Sequence, residues 1–134
     1  MVILIADMAS DLQGMDDSGN AAIGATRSAA LEAVGLLREA TQSLLANLAS
    51  RPELALAVSV PYLKLCGFVT GGWLMAKSSA IAATKLTGPD AEFYSAKVRT
   101  ALFYAEQMLP KALALARVVQ HGGPSVAETD AALI

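Results

Sequence analysis

A chain of 134 residues is the size of one domain with one continuous core. Hydrophobic residues make up 54% of it and aromatic residues only 5%, so the core must be built mainly from Ala and Leu. These strong helix formers predict an all-α fold. The net charge of −2 gives no electrostatic reason to expect a nucleic-acid partner. Charged residues are 16%, below the roughly one quarter typical of soluble domains, which indicates either a surface covered by a partner or a compact bundle with an Ala- and Ser-rich surface.

Cysteine content and hydropathy bear on the compartment. Cys66 is the only cysteine, so an internal disulfide is impossible, and a reducing cytoplasm fits. It lies in an apolar stretch and is interpreted as a small buried hydrophobe. The longest uncharged stretch, Leu65 to Ala76, is shorter than the about 20 apolar residues that a membrane-spanning helix needs. We expect a soluble, cytoplasmic protein with no membrane span.

The first two predicted helices come before Pro52. One runs from Val2 to Gln13, looks cut from something longer, and is followed by a polar linker. The other begins near Gly24 with Thr26 as its cap and continues to about Ala49. Its core side is predicted to carry apolar residues at helical spacing: Leu31, Val34, Leu37, Leu44, Leu45 and Leu48.

The third predicted helix opens at Pro52 and runs to about Leu86, with a bend or break at Pro61. Gly67 and Gly71 are four residues apart in it and therefore share one face. Glycine inside a helix costs roughly 1 kcal/mol relative to alanine, so a closely approaching backbone is a plausible compensation. We interpret the pair as a tight helix crossing, since membrane pairing would require a longer apolar segment.

The fourth predicted helix starts near Pro89, is kinked at Pro110 and stops at His121-Gly122-Gly123. A heptad seam predicts its core face: Tyr94, Val98, Ala101, Ala105, Met108, Ala112, Leu115 and Val119, widened by Leu102, Leu109 and Leu113. A row of Glu92, Arg99 and Glu106 is predicted on the solvent side. Short connections favour an up-and-down antiparallel bundle of about four helices. We divide the chain into a short N-terminal helix and linker (1–20), a helical bundle domain (21–123) and a C-terminal tail (124–134).

No catalytic, cofactor-binding or metal-ligating residue is predicted. His121 is the only histidine, and its place at a helix end favours capping over phosphotransfer. Di-iron Glu-x-x-His pairs and a Gly-rich phosphate loop are both missing from the sequence. Glu106 and Lys97 are interpreted as solvated side chains. The polar-tipped aromatic residues could pack in the bundle or line a ligand pocket or an interface: Tyr62, Trp73, Tyr94 and Tyr104.

Two stretches carry a family resemblance. The first is Pro61-Tyr62-Leu63-x-Leu65-x-Gly67 leading into Gly71-Gly72-Trp73-Leu74, and the second is Phe93-Tyr94-x-Ala96-Lys97 continuing through Ala101-x-Phe103-Tyr104-Ala105-Glu106 to Leu109-Pro110. Their order and spacing resemble the C-terminal helical domain appended to some bacterial acyl-CoA dehydrogenases, over roughly Thr26 to Gly123. The resemblance implies a parent flavoenzyme that uses FAD and a carboxylate base to oxidise an acyl-CoA thioester to its 2,3-enoyl form. It assigns no catalytic residue to this chain.

The leading hypothesis is therefore an accessory domain of an FAD-dependent acyl-CoA dehydrogenase, without its own active site. Its partners would be the remainder of the enzyme, a second copy, or both. The alternative is a free-standing helical interaction module, motivated by the wide apolar stripe of the fourth helix and the Gly67/Gly71 surface. A third reading, an acyl-chain or CoA binder, rests only on the apolar interior.

Overall fold

The computed structural model describes residues 1–129, which form helices and turns with no β-strand. The helices are α1 (Val2–Gln13), α2 (Ala21–Ser50), α3 (Pro52–Ala57), α4 (Ser59–Ala83), α5 (Ala91–Gln107), α6 (Pro110–His121) and α7 (Gly123–Ala127). The prediction of an all-α helical bundle is confirmed. None of these helices combines the length and the apolar character that crossing a bilayer requires.

The long helices alternate in direction. Thr41 of α2 contacts Tyr62 of α4 at one end of the bundle, and Ile23 packs with Ala82 at the other. α2 and α4 are therefore antiparallel. α5 reverses direction again, because Val98 packs with Ala82 and Tyr104 bonds to Phe68. This up-and-down order places α4 between α1 on one side and α5 on the other.

The core is continuous through α1, α2, α4, α5 and α6 and consists of small and aliphatic side chains. Met8, Leu12, Leu37 and Leu65 are among its fully buried members. A smaller cluster of Ile23, Ala82 and Val98 closes the end of the bundle near the α4–α5 turn. Alanines at crossing points let the helix axes approach closely, which explains how so few aromatic rings suffice.

α1 packs directly on α2 and α4, and its carbonyl end is capped from α2. The Arg27 guanidinium donates to the carbonyl oxygens of Leu12 and Gln13, at 2.7 Å and 3.1 Å. A cation at a helix C-terminus satisfies orphan carbonyls and meets the negative end of the helix dipole. This contact fixes α1 against the bundle at the point where the chain turns into α2.

The prediction of the cap of α2 was wrong. α2 begins at Ala21, and the Asn20 side chain accepts hydrogen bonds from the Ala22 and Ile23 amides, at 3.0 Å and 3.4 Å. Thr26 lies one turn further in, is buried, and donates to the Ala22 carbonyl at 2.8 Å. Asn20 is the better cap because its extended backbone and short amide side chain suit the N-cap position.

Asn20→Ala is expected to lower the free energy of unfolding by about 1 kcal/mol, because two amides of α2 lose their acceptor. Asn20→Asp, which keeps an acceptor oxygen, is the matched control and should stay close to the wild type. Urea denaturation followed by circular dichroism measures both. Equal stabilities for Asn20→Ala and Asn20→Asp would contradict the capping role.

The predicted third helix is two helices. α3 ends at Ala57, Val58 has a non-helical backbone, and α4 begins at Ser59, so the break lies three residues before Pro61. Proline has no N–H and its ring clashes with the carbonyl four residues earlier, which here belongs to Ala57. In the first turn of a new helix the missing N–H has no partner to lose. α4 then ends at Ala83, earlier than predicted.

The predicted fourth helix is interrupted at Pro110, as expected. The amides of Met108 and Leu109 both donate to the Tyr104 carbonyl, and α6 starts afresh at Pro110. Most of the heptad seam is buried, and Glu92, Arg99 and Glu106 are exposed as predicted. The placement of three leucines in the core was wrong, since each is about half exposed: Leu45, Leu48 and Leu113.

After α6, α7 packs on α3 with Gly123 against the Leu54 carbonyl, and residues 130–134 of the predicted tail lie outside the described part of the chain.

Candidate interaction surface

The polar side chains considered for catalysis lie apart from one another. His121 is exposed in the last turn of α6, and Glu106 and Lys97 are exposed on α5. Cys66 is buried on α4, and this burial raises the pKa of its thiol, so it is held in the unreactive form. Within residues 1–129, no three His, Cys, Asp or Glu side chains converge on a point that could hold a metal ion.

Two of the polar-tipped aromatics have structural partners inside the bundle. The Tyr62 hydroxyl lies 2.9 Å from the Thr41 hydroxyl, which itself donates to the Leu37 carbonyl. The Tyr104 hydroxyl donates to the Phe68 carbonyl at 3.1 Å. Burial raises the pKa of both phenols, which therefore stay protonated and join helices together. Neither faces a ligand cavity.

The outward side of α4 is the largest departure from an ordinary polar surface. Large apolar side chains on this side are mostly solvent exposed: Val60 is 60% exposed, Leu63 71%, Leu74 51% and Ile81 59%. They fall at positions 60, 63, 74 and 81, and with Gly67 between them they form what we call the α4 outer stripe. The same helix buries Leu65, Val69 and Ala76 on its inner side. α4 is therefore apolar all round, which in a water-soluble protein is typical of a helix covered on both sides.

The three glycines of α4 have different surroundings. A Cβ at Gly71 would overlap the Tyr104 hydroxyl, and one at Gly72 would lie 2.7 Å from the Leu109 side chain. These two residues account for the close crossing of α4 with α5 and with the start of α6. A Cβ at Gly67 would meet nothing within 4 Å. The prediction of a closely approaching backbone was wrong: Gly71 and Gly72 make room for the side chains of Tyr104 and Leu109, and Gly67 has no neighbour within this chain.

A groove continues the α4 outer stripe toward α5. It has a volume of about 380 Å³ and is lined by Leu74, Ser78 and Ile81 from α4 and by Phe93 and Lys97 from α5. Phe93 is 56% exposed and stands edge-on to Tyr94. The groove is open and shallow, and its lining carries no carboxylate, thiol or histidine. Its chemistry suits apolar packing with a cation at the edge.

Lysines border this surface. Lys64 is exposed on α4, and Lys97 of α5 lies 5.1 Å above the Phe93 ring. Lys111 of α6 lies 5.7 Å from the centre of the Phe68 ring, and Lys77 lies 4.8 Å from that of Trp73. Cation–π contacts of this kind let the long side chains lie along apolar surface while the charge remains in water. α4 itself contains no Asp or Glu.

One of these lysines is neutralised. Asp11 of α1 accepts a hydrogen bond from Lys77 at 2.7 Å and another from the indole N–H of Trp73 at 3.1 Å. The hydrogen bond from Lys77 is the main reason that the pKa of Asp11 lies below its ordinary value of 3.8; the charge of Lys77 and the Trp73 bond act in the same direction, against partial desolvation. The three side chains tie α1 to α4 on the side of the stripe away from α5.

Asp11 should give the stability a dependence on acidic pH. A carboxyl whose pKa is lowered by folding stabilises the folded state above its unfolded pKa, and this stabilisation is lost as the pH falls through the lowered value. The melting temperature of the wild type is expected to exceed that of Asp11→Asn at pH 6, with a difference that shrinks toward zero near pH 2. Exposure keeps the difference small, and 1 M NaCl should reduce it further. A pH-independent difference would show that the carboxylate charge is not involved.

A second apolar area lies at the other end of α1. Val2, Ala6, Arg38, Thr41 and Leu45 are among the residues that line a depression of about 160 Å³ between α1 and α2. It is smaller than the α4 surface and contains a single cation. Leu45, which is exposed, is part of this apolar area.

Sequence reasoning did not identify the α4 outer stripe, although a signal was present. Val60, Gly67, Leu74 and Ile81 recur every seven residues, and Leu63 occupies the intermediate position of the same heptad. Of the Gly67/Gly71 pair, only Gly67 belongs to this outward repeat, since Gly71 lies against Tyr104. Because α4 carries few charged residues, its sequence pattern does not distinguish a buried side from a solvent-exposed side.

A family model described as acetyl-CoA dehydrogenase C-terminal like matches residues 4–130 of this chain. A similar protein is a 3-methylmercaptopropionyl-CoA dehydrogenase of Ruegeria pomeroyi, which is 35% identical over 105 residues. The matched region covers 78% of this chain and 18% of that protein, so the chain spans less than a fifth of this relative's length.

Proposed function

The chain belongs to the acetyl-CoA dehydrogenase C-terminal-like family, and on this premise we propose that it is the accessory C-terminal domain of an FAD-dependent acyl-CoA dehydrogenase. Its role is assembly: it packs against the rest of the enzyme, against a second copy, or both. It contributes no catalytic, flavin-binding or metal-ligating residue of its own. The parent enzyme works in the cytoplasm.

The observation that carries this proposal is the α4 outer stripe. Its four large side chains are each more than half exposed, on a helix that contains no Asp or Glu. Burying one such side chain is worth about 1.5–3 kcal/mol, so leaving four in water is a cost that a covering surface removes. Several large apolar side chains exposed along one side of a helix are typical of an interaction surface.

The chemistry of the described residues supports the division of labour. Removing an α-proton and a β-hydride requires a positioned carboxylate and a flavin, and both need a sheltered pocket. The groove beside α4 is shallow and has no carboxylate in its lining. The fraction of the Ruegeria relative that lies outside the matched region is large enough to hold a flavin site and a catalytic base. We therefore assign FAD and acyl-CoA binding to the remainder of the parent enzyme.

A domain exchange tests the proposal. The 105-residue segment of this chain that matches the Ruegeria dehydrogenase replaces its counterpart there, and the chimera, the segment-deleted enzyme and the isolated chain are compared. The chimera is expected to hold FAD and to dehydrogenate its thioester, while the isolated chain shows neither flavin absorbance near 450 nm nor turnover. Flavin bound to the isolated chain, or a melting temperature raised by acyl-CoA, would place a ligand site in this domain and overturn the proposal.

The second candidate is a free-standing helical interaction module, which the α4 outer stripe also favours. The same exchange separates the two. A module that acts alone gives an inactive, poorly assembled chimera that the segment-deleted enzyme matches. An accessory domain gives a chimera that assembles better than the deleted enzyme. Size exclusion with light scattering measures that assembly directly.

A further inference from the structure

The spacing of the α4 outer stripe has the period of a helix–helix seam. Val60, Gly67, Leu74 and Ile81 are seven residues apart, and the alternate positions are Leu63, Thr70 and Lys77, whose charge is paired with Asp11. An apolar repeat of 3.5 residues keeps one line of side chains facing a second helix over many turns. Since a helix rises about 1.5 Å per residue, the line from Val60 to Ile81 is roughly 32 Å long. The stripe therefore matches a long helix better than a compact ligand.

Gly67 marks the point of closest approach. It lies near the middle of the stripe, in the interior of α4, with open space where a Cβ would be. A Cβ at Gly71 or Gly72 would collide with a side chain of this chain, whereas a Cβ at Gly67 would meet nothing within 4 Å. A mid-helix glycine flanked by exposed Leu63 and Leu74 allows the backbone of a crossing helix to come close, as small residues do at tight helix crossings.

The lysines at the edge of the stripe indicate the charge that a partner helix should carry. Lys64, Lys97 and Lys111 edge the stripe and its groove, and among the described residues no carboxylate forms a salt bridge with any of them. Lys77 is the exception, because Asp11 pairs with it. With no acid on α4, a second α4 laid along the first would bring lysines toward lysines. A helix whose apolar seam is bordered by carboxylates would meet a cation on each side.

We propose that the α4 outer stripe is the docking site of an α-helix from another polypeptide segment, with an apolar heptad seam flanked by Asp or Glu. This names the partner chemistry of the assembly surface and rests on the proposed function. The helix crosses α4 at Gly67, and its large side chains pack between Leu63 and Leu74. Its carboxylates pair with the bordering lysines, which sets its orientation and excludes basic helices.

A membrane surface and a second copy are the competing occupants. Anionic lipids would also attract the lysines, but a bilayer gains nothing from a seven-residue repeat or from a glycine at its centre. A second copy would gain the apolar contact and would suffer the repulsion between lysines. The heptad, Gly67 and the charge border together favour the acidic helix.

The experiment uses the isolated chain and two synthetic helical peptides of four heptads, about 28 residues each, with Leu at the seam positions. One peptide carries Glu at the flanking positions and the other carries Lys, and neither contains Trp. Trp73 is the only tryptophan of the chain and neighbours Leu74, so its fluorescence reports binding. Titrations are repeated with phosphatidylglycerol vesicles, and light scattering gives the mass of the chain alone.

The Glu peptide is expected to bind roughly tenfold more tightly than the Lys peptide. Leu74→Gln should weaken its binding by about tenfold, because a fully covered aliphatic side chain is lost. Leu48→Gln is the matched control, since Leu48 on α2 is 53% exposed, like Leu74 at 51%, and lies off the stripe; it should bind as the wild type does. Gly67→Ala should weaken binding by about threefold while raising the melting temperature of the chain.

Several outcomes would overturn the proposal. They are equal affinity for the two peptides, no binding of either, and binding that Leu74→Gln leaves unchanged. A dimer of the chain that Leu74→Gln disperses would assign the stripe to a second copy. Tighter binding to vesicles than to the Glu peptide would assign it to a membrane. None of these results depends on whether the isolated chain binds FAD, so the failure of this proposal is distinguishable from failure of the proposed function.

Discussion

Gly71→Ala is expected to destabilise the chain by about 1–3 kcal/mol, because the new methyl group enters space that Tyr104 occupies. It would overlap the Tyr104 hydroxyl and lie 2.8 Å from the ring Cζ. A phenol ring cannot deform, so Tyr104 must swing away from α4 and lose its hydrogen bond to Phe68, worth about another 1 kcal/mol. The higher helix propensity of alanine recovers about 1 kcal/mol and leaves a net loss.

Gly67→Ala is the matched control, one helical turn away in the same helix. With nothing within 4 Å of its new methyl group, it should stabilise the chain by about 0.5–1 kcal/mol. Urea denaturation of both variants compares the same chemical change with opposite expected signs. In a Tyr104→Phe background the cost of Gly71→Ala should shrink, since the nearest atom is gone. Equal effects at Gly67 and Gly71 would mean that Tyr104 does not seat against α4.

These two glycines show where sequence reasoning succeeds and where it stops. Their spacing correctly predicts that a neighbour comes close to a glycine of α4, although this neighbour is the Tyr104 side chain and not a backbone. It cannot say which glycine this is, because Gly67 and Gly71 share one helical face and differ only in what lies opposite. That depends on the position of Tyr104, which is 33 residues further along the chain and is brought there by the α4–α5 turn. Gly72, which the pattern did not single out for this role, also has no room for a Cβ, which would lie 2.7 Å from the Leu109 side chain.

Proline and turn residues correctly predict those helix ends at which only one local signal is present. α1 ends at Gln13 before Gly14, and α6 ends at His121 before Gly122, as the sequence indicates. The errors arose where two local signals compete. Asn20 and Thr26 can both cap a helix, and Thr26 is excluded because α2 begins at Ala21 and Thr26 lies within it, donating to the Ala22 carbonyl. Pro61 tolerates either a kink or a new first turn, and the chain adopts the latter.

The apolar surface was the hardest feature to predict from sequence, because an exposed leucine and a buried leucine look alike in composition. Leu45, Leu48 and Leu113 fit the helical spacing of a core and are exposed. Leu63 and Leu74 lie in a helix so poor in charge that no solvent side is evident. A polar side is what normally orients a helix in a sequence pattern. Where a partner covers the outer side, that signal disappears, and the absence itself becomes informative.

Leu12→Ala is expected to lower the free energy of unfolding by about 2–5 kcal/mol, because it opens a cavity where α1 meets the bundle. Leu12 is fully buried, and Ile5 and Met8 share its side of α1. The Leu12 carbonyl also accepts a hydrogen bond from the Arg27 guanidinium, so Leu12 lies where α1 is attached to α2. A loss of this size is a large fraction of the stability of a small domain. Thermal and urea denaturation measure it.

Ile3→Ala is the control on the same helix, since Ile3 is 79% exposed and its truncation should change the stability by less than about 0.5 kcal/mol. If Leu12→Ala and Ile3→Ala behave alike, α1 contributes nothing to the fold and its packing on α2 and α4 is incidental. If they differ as expected, α1 is part of the cooperative unit. The salt bridge from Lys77 to Asp11 then holds one edge of the α4 outer stripe in place through α1, and we expect the proposed docking at that surface to weaken when α1 is loosened.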